Sequence, residues 1–470
     1  MILVAGVDSS TQSCKVVIRR SDSGEVLRTG SAPHPEGTEV DPEAWWKALK
    51  AAIAQAGGFA DVSAVSIGAQ QHGLITLDGE GEIVRKALLW NDTRSAPSAE
   101  QLIAELGRSR FARETGSVPV ASFTVTKLRW VADNEPENAA RIHAICLPHD
   151  WLTWRLMGYG PVGDSVRGPD FSALITDRSD ASGTGYYSSE THSYLPDFLT
   201  QALGRIPLLP RVLGPSDIAG ETPEGIVVGV GAGDNAGAAL GLGSKPGDVV
   251  VSIGTSGTVF SVSEVPACDE SGLVAGFADA SGHYLPLIAT LNAARVLNAT
   301  RNLLGVDFGE FERLALAAKP GSEGVAMIPY FEGERTPNLP FAQASIHGLT
   351  LGSYTRENLA RASIEAVLCS LAEGLDAVKA QGVEPRRIML IGGSAQNSAV
   401  AAIAGELFDY PVEVPQPAEY VALGASAQAA WSLTGDRPNW PIASNPVGLR
   451  AFRPEVRERY AEFRSHTYST

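Results

Sequence analysis

The sequence predicts an α/β protein made of two similar halves, each built on a mixed β-sheet, with a cleft between them. The first observation is a repeated pattern, in which two apolar strands flank a turn of small hydroxyl residues at positions 8–11 and again at 254–258. The second is the alternation of strand and helix patterns in both halves. The third is the length of 470 residues, which favours two domains over a single core. The repeat divides the chain into residues 1–244 and 245–470.

The individual elements follow from short-range patterns. Residues 2–30 predict a three-stranded meander, and residues 248–263 repeat its first hairpin, with HYLPLIA as a candidate third strand. Asp41 precedes a proline and an acid, which predicts the start of a helix through the segment DPEAWW. The runs VSAVSIGA and RIMLIGG predict buried strands. Residues 355–381 and 419–433 carry an apolar stripe at helical spacing and predict two helices.

Composition and charge exclude several classes of protein. The net charge of −16 argues against a nucleic-acid partner, which normally needs a basic surface. The four cysteines are far apart, which argues against a zinc site and gives no disulfide framework. The N-terminus has no signal-peptide pattern, and the longest weakly polar stretch contains Asp234 and Asn235, which argues against a membrane span. We therefore expect a cytoplasmic protein and leave a homodimer open.

The two hydroxyl turns predict phosphate binding, because successive backbone N–H groups and hydroxyls form a concave anion site. Asp8 beside the first turn would repel a phosphate unless a cation lies between them, so we interpret it as a Mg²⁺ ligand. An Asx turn that closes the hairpin is the structural alternative. Lys15 on the returning strand is placed to approach a phosphate, and simple solvation is its alternative role.

A second candidate site lies in the glycine- and alanine-rich run GVGAGDNAGAALG. Small residues allow close approach of a ligand, and the lone acid Asp234 is suited to take a proton from a hydroxyl group. Capping of the following helix by Asp234 and Asn235 is a structural role compatible with that one. We assign Asn235 to the substrate together with Asp234, which we also consider as a metal ligand.

Two further polar segments follow predicted strands. Gln70, Gln71 and His72 follow VSAVSIGA, at a strand end where open α/β sheets bind ligands, and their amide and imidazole groups suit sugar hydroxyls. A structural histidine is the alternative for His72. The segment 392–397 follows RIMLIGG and opens a helix, where paired glycines let a nucleotide approach the backbone. Paired glycines also occur before many helices that bind nothing.

The chain resembles the FGGY carbohydrate kinases along essentially its whole length, and most strongly the members that phosphorylate xylulose. The matching segments are VDSSTQSCKV, DPEAWW, QQHG, LLWNDTR, SDASGT, GAGDNAG, SIGTSGT, GERTP, HGLTLGSYTRENLARASIEAV and IGGSAQN. The resemblance implies two actin-like, ribonuclease-H-type domains that close over ATP and a sugar. It implies transfer of the ATP γ-phosphoryl group to the terminal 5-hydroxyl of D-xylulose, with Mg²⁺. Ribulose, gluconate or glycerol as acceptor, or an actin-fold ATP-binding protein without kinase activity, are the alternatives.

The resemblance also implies roles for individual residues. These are the catalytic base Asp234, the acid Asp8 near metal and phosphates, Ser10 and Thr11 in the first phosphate loop, Gly254 and Thr255 in the second, Gly392, Gly393 and Asn397 at the nucleotide, and Gln71 and His72 at the sugar, with Trp45 of DPEAWW added to the sugar site. The chain departs from the family pattern at Ser10 in the first phosphate loop, where Thr11 is retained and a hydroxyl can still donate. It also departs at Ser394 and Val400, which affects the adenine contacts and leaves the phosphate chemistry untouched. Arg335 of GERTP has no derived role, and a structural salt bridge is its alternative.

Overall fold

The computed structural model of the chain describes residues 2–448 and 450–468. It separates into two compact units. The first comprises residues up to Ser244 together with Pro266–Leu285 and Ala418–Pro441, and the second comprises Lys245–Val265, Pro286–Pro417 and the residues from Ile442 onwards. The first break between the units falls between Ser244 and Lys245, whereas Pro266–Leu285 and Ala418–Pro441, which lie within the predicted second half 245–470, belong to the first unit.

The strands up to residue 244 are short except for four long ones. They are β1 (Leu3–Ser9), β2 (Ser13–Arg20), β3 (Val26–Pro33), β4 (Glu39–Val40), β5 (Val62–Ala69), β6 (Ile75–Leu77), β7 (Ala87–Leu88), β8 (Ala144–Cys146), β9 (Ile175–Asp177), β10 (Tyr187–Ser188), β11 (Ser193–Tyr194), β12 (Arg211–Leu213), β13 (Ile218–Glu221), β14 (Val227–Gly229) and β15 (Ala232–Gly233). The helices of this part are α1 (Pro42–Gln55), α2 (Ala96–Leu106), α3 (Arg108–Thr115), α4 (Thr124–Asn134), α5 (Pro136–Arg141), α6 (Pro148–Leu156), α7 (Arg178–Ser182), α8 (Pro196–Leu203) and α9 (Asp234–Gly241).

The later part of the chain has fewer strands and longer helices. Its strands are β16 (Asp248–Ile253), β17 (Gly257–Ser261), β18 (Ala275–Ala278), β19 (Tyr284–Thr290), β20 (Ala326–Ile328), β21 (Ser345–His347), β22 (Arg387–Ile391), β23 (Val412–Pro415) and β24 (Ser444–Pro446). Its helices are α10 (Ala294–Leu304), α11 (Phe308–Ala317), α12 (Arg356–Ala380), α13 (Ser398–Leu407), α14 (Tyr420–Thr434) and α15 (Pro454–Thr467). Short 3₁₀ turns lie at Phe171–Ala173, Ser322–Gly324 and Gly393–Gln396.

The first unit is built on a seven-stranded mixed sheet in the order β13-β14-β5-β1-β2-β3, with β15 also paired to β5. Strand β1 runs antiparallel to β2 and parallel to β5. Helix α1 packs on β2 and β3, and α14 packs on β1 and β5, so every residue of β1 is buried. A Cβ atom on Gly6 would lie 1.9 Å from the Ala422 carbonyl oxygen, so glycine is required where α14 crosses the strand.

The second unit repeats this arrangement. Its sheet includes the strand order β19-β17-β16-β22-β23-β24, in which β16 runs antiparallel to β17 and parallel to β22. The predicted meander, the repeated hairpin and its third strand HYLPLIA are therefore confirmed. The two predicted helices are confirmed as α12 and α14. None of the helices in the described part of the chain combines the length and the apolar character needed to cross a membrane.

Candidate active site

Three parallel strands of the first sheet end together and bring the predicted residues to one edge. Ser9 of β1 is level with Ala69 of β5, which is level with Gly233 of β15. The next residues along these three strands lead into the hydroxyl turn, the segment from Gln70 to His72, and Asp234. Sequence positions that are separated by more than two hundred residues therefore converge at the carboxyl edge of one sheet, where α/β folds bind ligands.

Asp8 is the acid at the end of β1. Its side chain is buried, with 4% exposed. The Ser10 hydroxyl donates to its carboxylate. The carboxylate also accepts a backbone hydrogen bond from Ser10, which is the contact that an Asx turn predicts. Burial raises the pKa of Asp8 to about 6, although the Ser10 hydrogen bond and the charge of Lys15 lower it. A buried carboxylate with a raised pKa is a site where a bound cation lowers the free energy.

Asp234 is the first residue of α9, and Gly233 holds the cap position. The Asp234 carboxylate accepts from the Asn235 backbone N–H at 2.8 Å and from the Asn235 side-chain amide at 2.9 Å. The predicted capping role is therefore wrong in detail, since Asp234 lies inside the first turn. Burial raises the pKa of its carboxyl to about 7, and the negative charge of Asp8 adds to the rise. A carboxyl with this pKa is suited to exchange a proton near neutral pH.

The glycines around Asp234 have a packing role that the sequence pattern alone did not separate from ligand access. A Cβ atom on Gly241 would lie 2.0 Å from the Tyr420 carbonyl oxygen, and one on Gly424 would lie 1.9 Å from the Gly237 carbonyl oxygen. Helices α9 and α14 therefore cross in backbone contact. The small residues Gly237 and Gly241, which follow Asp234, serve this crossing.

Gln71 lies beside Asp234 and is 4% exposed. Its amide nitrogen donates to the Ser179 carbonyl at 3.1 Å, and its amide oxygen lies 3.5 Å from the Asn235 side-chain nitrogen. A Cβ atom on Gly233 would lie 2.6 Å from the Gln71 side chain, so the two segments are in contact. Gln71, Asp234 and Asn235 form one polar group of amides and a carboxylate, which can both donate to and accept from sugar hydroxyls.

His72 is held in an unusual backbone conformation with φ of 69°. Its Nδ1 atom lies 2.6 Å from the Gly183 carbonyl oxygen, and its ring packs against Phe123 and Phe277 at centroid distances of 4.9 and 5.5 Å. Histidine is one of the residues that tolerate a positive φ, at a cost in energy. The structure thus brings His72 to the same edge as Gln71 and fixes its ring by contacts with two aromatic neighbours.

Residues outside the first hydroxyl turn form hydrogen bonds and ion pairs with residues of that turn and of the strand that follows it. The Trp90 indole N–H donates to the Thr11 hydroxyl oxygen at 2.8 Å. The Thr11 hydroxyl can therefore donate its own proton to a different acceptor. Lys15 stands opposite Asp8 in the β1–β2 ladder, and its ammonium pairs with Glu419 at 2.5 Å. The cation that we assigned to a phosphate is therefore engaged with a half-exposed carboxylate on the segment that leads into α14.

The structure corrects the prediction for Trp45. Its side chain is 1% exposed and belongs to the hydrophobic core formed with residues of β1, β2 and α1. It therefore has no surface to offer a sugar. The place of Trp45 in DPEAWW led to its assignment to the sugar, whereas Trp45 lies on the core-facing side of α1.

In the second unit the hydroxyl turn and the paired glycines follow adjacent parallel strands. Ser252 of β16 is level with Ile391 of β22, so residues 254–256 and 392–397 leave the sheet side by side. A Cβ atom on Gly392 would lie 2.6 Å from the Ile253 carbonyl oxygen, and its φ is 92°, so only glycine fits there. Gly393 and Thr255 are exposed at the surface of this unit, and Gly254 is partly exposed.

Asn397 has a structural role in that segment. Its side-chain oxygen accepts from the backbone N–H groups of Ala399 and Val400 at 3.0 and 3.2 Å, so it is the N-cap of α13. The helix begins after a 3₁₀ turn and not directly at the glycines. The segment therefore has fixed backbone geometry next to the hydroxyl turn, as a nucleotide-binding turn requires.

GERTP contains one structural acid that was not predicted from the sequence. Glu334 is 1% exposed and accepts from the Leu291 N–H at 2.6 Å, the Asn292 amide at 3.0 Å and the Arg335 N–H at 2.7 Å. Within the described residues the side chain of Arg335 forms no ion pair, so the structural salt bridge considered for it is not present.

The buried acids around α7 also received no role from the sequence. Asp177, Asp180, Asp150 and His149 lie together beneath the sheet edge and are almost fully buried. The signal that could have identified Asp180 is the segment SDASGT, which matches the family pattern, whereas the other three residues lie outside that segment. Burying three acids and one histidine costs free energy of folding, and this cost indicates that the four residues have a role.

The two acids at the edge of the first sheet fit a divalent cation. Asp8 and Asp234 supply carboxylate oxygens, the ligands that Mg²⁺ prefers, and burial raises the pKa of each carboxyl. No thiolate is among the predicted site residues. The donor set therefore suits a hard cation held partly by water and phosphate oxygens.

Comparison with known proteins places the chain among sugar kinases. Residues 3–243 match the N-terminal domain of the FGGY family of carbohydrate kinases, and residues 249–433 match its C-terminal domain. Xylulose kinase of Streptomyces rubiginosus is 46% identical over 465 residues, which cover 95% of this chain and 92% of the relative. Xylulose kinase of Escherichia coli is 34% identical, with coverage of 86% and 85%.

A solved structure agrees with these matches. The crystal structure of xylulose kinase from Bifidobacterium adolescentis has a TM-score of 0.92 and 46% sequence identity, and covers 98% of this chain and 99% of that chain. The similarity confirms the predicted fold of two α/β domains of the actin-like type.

Proposed function

This chain belongs to the FGGY family of carbohydrate kinases, and we propose that it transfers the γ-phosphoryl group of ATP to the 5-hydroxyl of D-xylulose, giving D-xylulose 5-phosphate. The observation that carries the proposal is the pair of acids, the buried Asp8 and the partly exposed Asp234, at one sheet edge beside Gln71 and His72. Full-length similarity to proteins named xylulose kinase supports D-xylulose as the acceptor.

Asp234 takes the proton of the attacking hydroxyl in this proposal. Its pKa of about 7 means that a large fraction is ionised at neutral pH, and the proton it accepts is then readily returned to solvent. In a loose phosphoryl transition state the alignment of the hydroxyl matters more than the strength of the base. The Asn235 amide, which donates to the same carboxylate, orients it toward the acceptor.

Asp8 would hold Mg²⁺, and the carboxylate of Asp234 would be a second negative charge that interacts with the ion. The ion supplies charge neutralisation for the transferring phosphoryl group. Ser10 and Thr11 present hydroxyl groups beside it, and the Trp90 contact fixes the direction of the Thr11 hydroxyl. The charge of Lys15 lowers the pKa of Asp8, and its ammonium is paired with Glu419. Lys15 can therefore affect Asp8 without contacting the nucleotide.

The second unit would hold the nucleotide. Residues 254–256 expose backbone N–H groups and hydroxyls for phosphate oxygens, and the adjoining turn at Gly392 and Gly393 brings the backbone close to the nucleoside. Because ATP is the phosphoryl donor, we place the reaction in the cytoplasm, where ATP and free sugar meet.

The test is a coupled ADP-release assay with Mg-ATP and a panel of D-xylulose, D-ribulose, D-gluconate and glycerol. We expect D-xylulose to have the highest kcat/KM by at least about tenfold, the discrimination that a few hydroxyl contacts supply. A higher kcat/KM for another acceptor would assign the enzyme to that sugar. ADP release that is independent of every acceptor would remove the kinase assignment in favour of an ATP-binding protein.

A further inference from the structure

The short helix α7 connects the residues assigned to the sugar. The Ser179 carbonyl accepts from the Gln71 amide at 3.1 Å, and the Ser179 hydroxyl oxygen accepts from the Gly233 backbone N–H at 3.0 Å. The Gly183 carbonyl, one residue beyond the helix, lies 2.6 Å from His72 Nδ1. Two side chains and the backbone immediately before Asp234 are thus held by one short segment.

A helix of five residues has little stability of its own, because its few internal hydrogen bonds do not offset the cost of nucleation. Something else must therefore fix α7. Asp177 caps it by accepting from the backbone N–H groups of Ser179 and Asp180 at 2.8 and 2.9 Å. The cap sets the direction of the helix but does not tie it to the sheet.

A buried ion pair connects α7 to the rest of the first unit. His149 Nδ1 lies 2.5 Å from the Asp180 carboxylate, and both side chains are 0% exposed. His149 belongs to α6, which packs on β5, the strand that leads to Gln71. The ring also contacts the strand leading to Asp234, since a Cβ atom on Gly231 would lie 2.5 Å from the His149 ring.

Two neighbouring acids favour the charged form of His149. Burial alone would lower the pKa of His149, but Asp150, whose carboxylate lies 3.3 Å away, and Asp180 raise it to about 10. A hydrogen bond between an imidazolium and a carboxylate away from water is stronger and more directional than one between neutral groups. The pair therefore fixes α7 more firmly than packing of its five residues alone does.

A bound metal is the other interpretation of His149, Asp150 and Asp180, whose ligand atoms lie within 4.8 Å of one another. Ligand atoms of one metal ion each stand about 2 Å from it and so are about 3 Å or more apart. The separation of 2.5 Å between His149 Nδ1 and the Asp180 oxygen is that of a shared proton. The geometry therefore favours the ion pair.

We propose that His149 and Asp180 form a positioning pair for the sugar site, which holds α7 so that Ser179 and Gly183 fix Gln71, His72 and the backbone that precedes Asp234. The inference deepens the proposed function and rests on it for its kinetic consequence. Neither residue of the pair touches the sugar. Their effect on catalysis passes through the hydrogen bonds of α7.

Asp180→Asn is the central variant, because it removes the charge and keeps the size of the side chain. Its matched control is Glu365→Gln, which breaks a comparable buried pair with Arg361 in the second unit, where the two side chains are 5% and 4% exposed. Both variants are expected to lower thermal stability. Only Asp180→Asn is expected to change the sugar site, which separates positioning from general destabilisation.

Hydrogen–deuterium exchange tests the positioning role of the pair in the absence of substrate. In Asp180→Asn we expect about tenfold faster exchange in peptides that contain Gly233 and Gln71, and unchanged exchange around Gly254. Ser179→Ala, which removes only the acceptor of the Gly233 N–H, is the second variant and should accelerate exchange at residues 231–235 even if Asp180→Asn does not fold. Wild-type exchange in these peptides in both variants would overturn the inference.

Steady-state kinetics measure the effect of the pair on sugar binding and catalysis. Asp180→Asn is expected to raise the KM for D-xylulose by about 10–100-fold and to leave the KM for ATP within about twofold, as loss of sugar-side hydrogen bonds predicts. Equal losses for sugar and ATP would overturn the positioning role. If the wild-type enzyme does not phosphorylate D-xylulose, the proposed function fails, whereas the exchange experiment still decides the role of the pair.

Discussion

Burial and the negative charge of Asp8 together raise the pKa of the Asp234 carboxyl to about 7. The two acids come from strands that are both neighbours of β5, and each ends at the same edge of the sheet. Their repulsion is unfavourable in the empty enzyme and is relieved by a divalent cation or by a proton. The same arrangement thus accounts for metal affinity and for a base that works near neutral pH.

The assignment of Asp8 to the metal predicts a changed Mg²⁺ requirement. Asp8→Asn removes one anionic ligand, so we expect the Mg²⁺ concentration for half-maximal rate to rise by at least about tenfold and kcat to fall by about 10²-fold or more. The measurement is initial rate against free Mg²⁺ at fixed ATP. The exposed Asp22→Asn is the control. An unchanged Mg²⁺ dependence would remove Asp8 from the metal site.

The raised pKa of Asp234 has a consequence for stability. Because the folded-state pKa of about 7 lies above the usual value of 3.8, the folded protein binds this proton more tightly than the unfolded chain. The contribution to stability is therefore full below about pH 4 and is lost as the pH rises toward 7. Removing the charge should stabilise the metal-free protein at pH 8 and have little effect at pH 4.5.

Asp234→Asn tests this sign. In EDTA at pH 8 we expect its Tm to exceed that of the wild type by about 2–6 °C, with a much smaller difference at pH 4.5. Differential scanning calorimetry at the two pH values measures it. A lower Tm for the variant at pH 8 would mean that the fold stabilises the Asp234 carboxylate, which is the opposite of what a raised pKa requires.

The turn at Gly392 predicts a selective loss of nucleotide binding. A methyl group in Gly392→Ala would meet the Ile253 carbonyl and a strained φ of 92°, so the two adjoining turns must separate. We expect the Kd for ATP to rise at least about tenfold in a calorimetric titration. Gly309→Ala in α11 of the same unit meets only a side-chain atom at 3.6 Å and is the matched control. Equal ATP affinity in the two variants would contradict this assignment.

Gln71 predicts a sugar-specific effect. Gln71→Met preserves volume but removes the amide that donates to Ser179 and faces Asn235. The loss of buried hydrogen bonds should raise the KM for D-xylulose by about 10–100-fold, while the KM for ATP stays near the wild-type value. Measuring both KM values decides it, and a purely structural Gln71 would raise neither selectively.

The local elements and the acids were predictable from the sequence because both depend on short-range patterns. The strand-turn-strand repeat identified β1–β2 and β16–β17, and strand ends followed by polar residues identified Gln71 and His72. The packing partners were not predictable in this way. The burial of Trp45 depends on how α1 packs on β2 and β3, and the glycines after Asp234 serve a crossing with α14.

The pair of His149 and Asp180 illustrates the same limit in a functional setting. The two residues are separated by more than thirty positions, and neither belongs to a pattern that predicts contact with the other. Their proximity depends on how α6 packs on β5 and how α7 packs on β15. Long-range pairing of this kind appears only in the folded structure, whereas the hydroxyl turn at residues 8–11 has a local geometry that the sequence indicates directly.

The product formed from D-xylulose and Mg-ATP, followed by ³¹P NMR together with ADP release, tests the proposed reaction most directly. We predict stoichiometric ADP and a single sugar phosphate esterified at the 5-hydroxyl, with a rate that falls by about 10³-fold or more in Asp234→Asn while ATP binding is retained. Phosphorylation at another hydroxyl, or a comparable rate in Asp234→Asn, would contradict the proposed reaction.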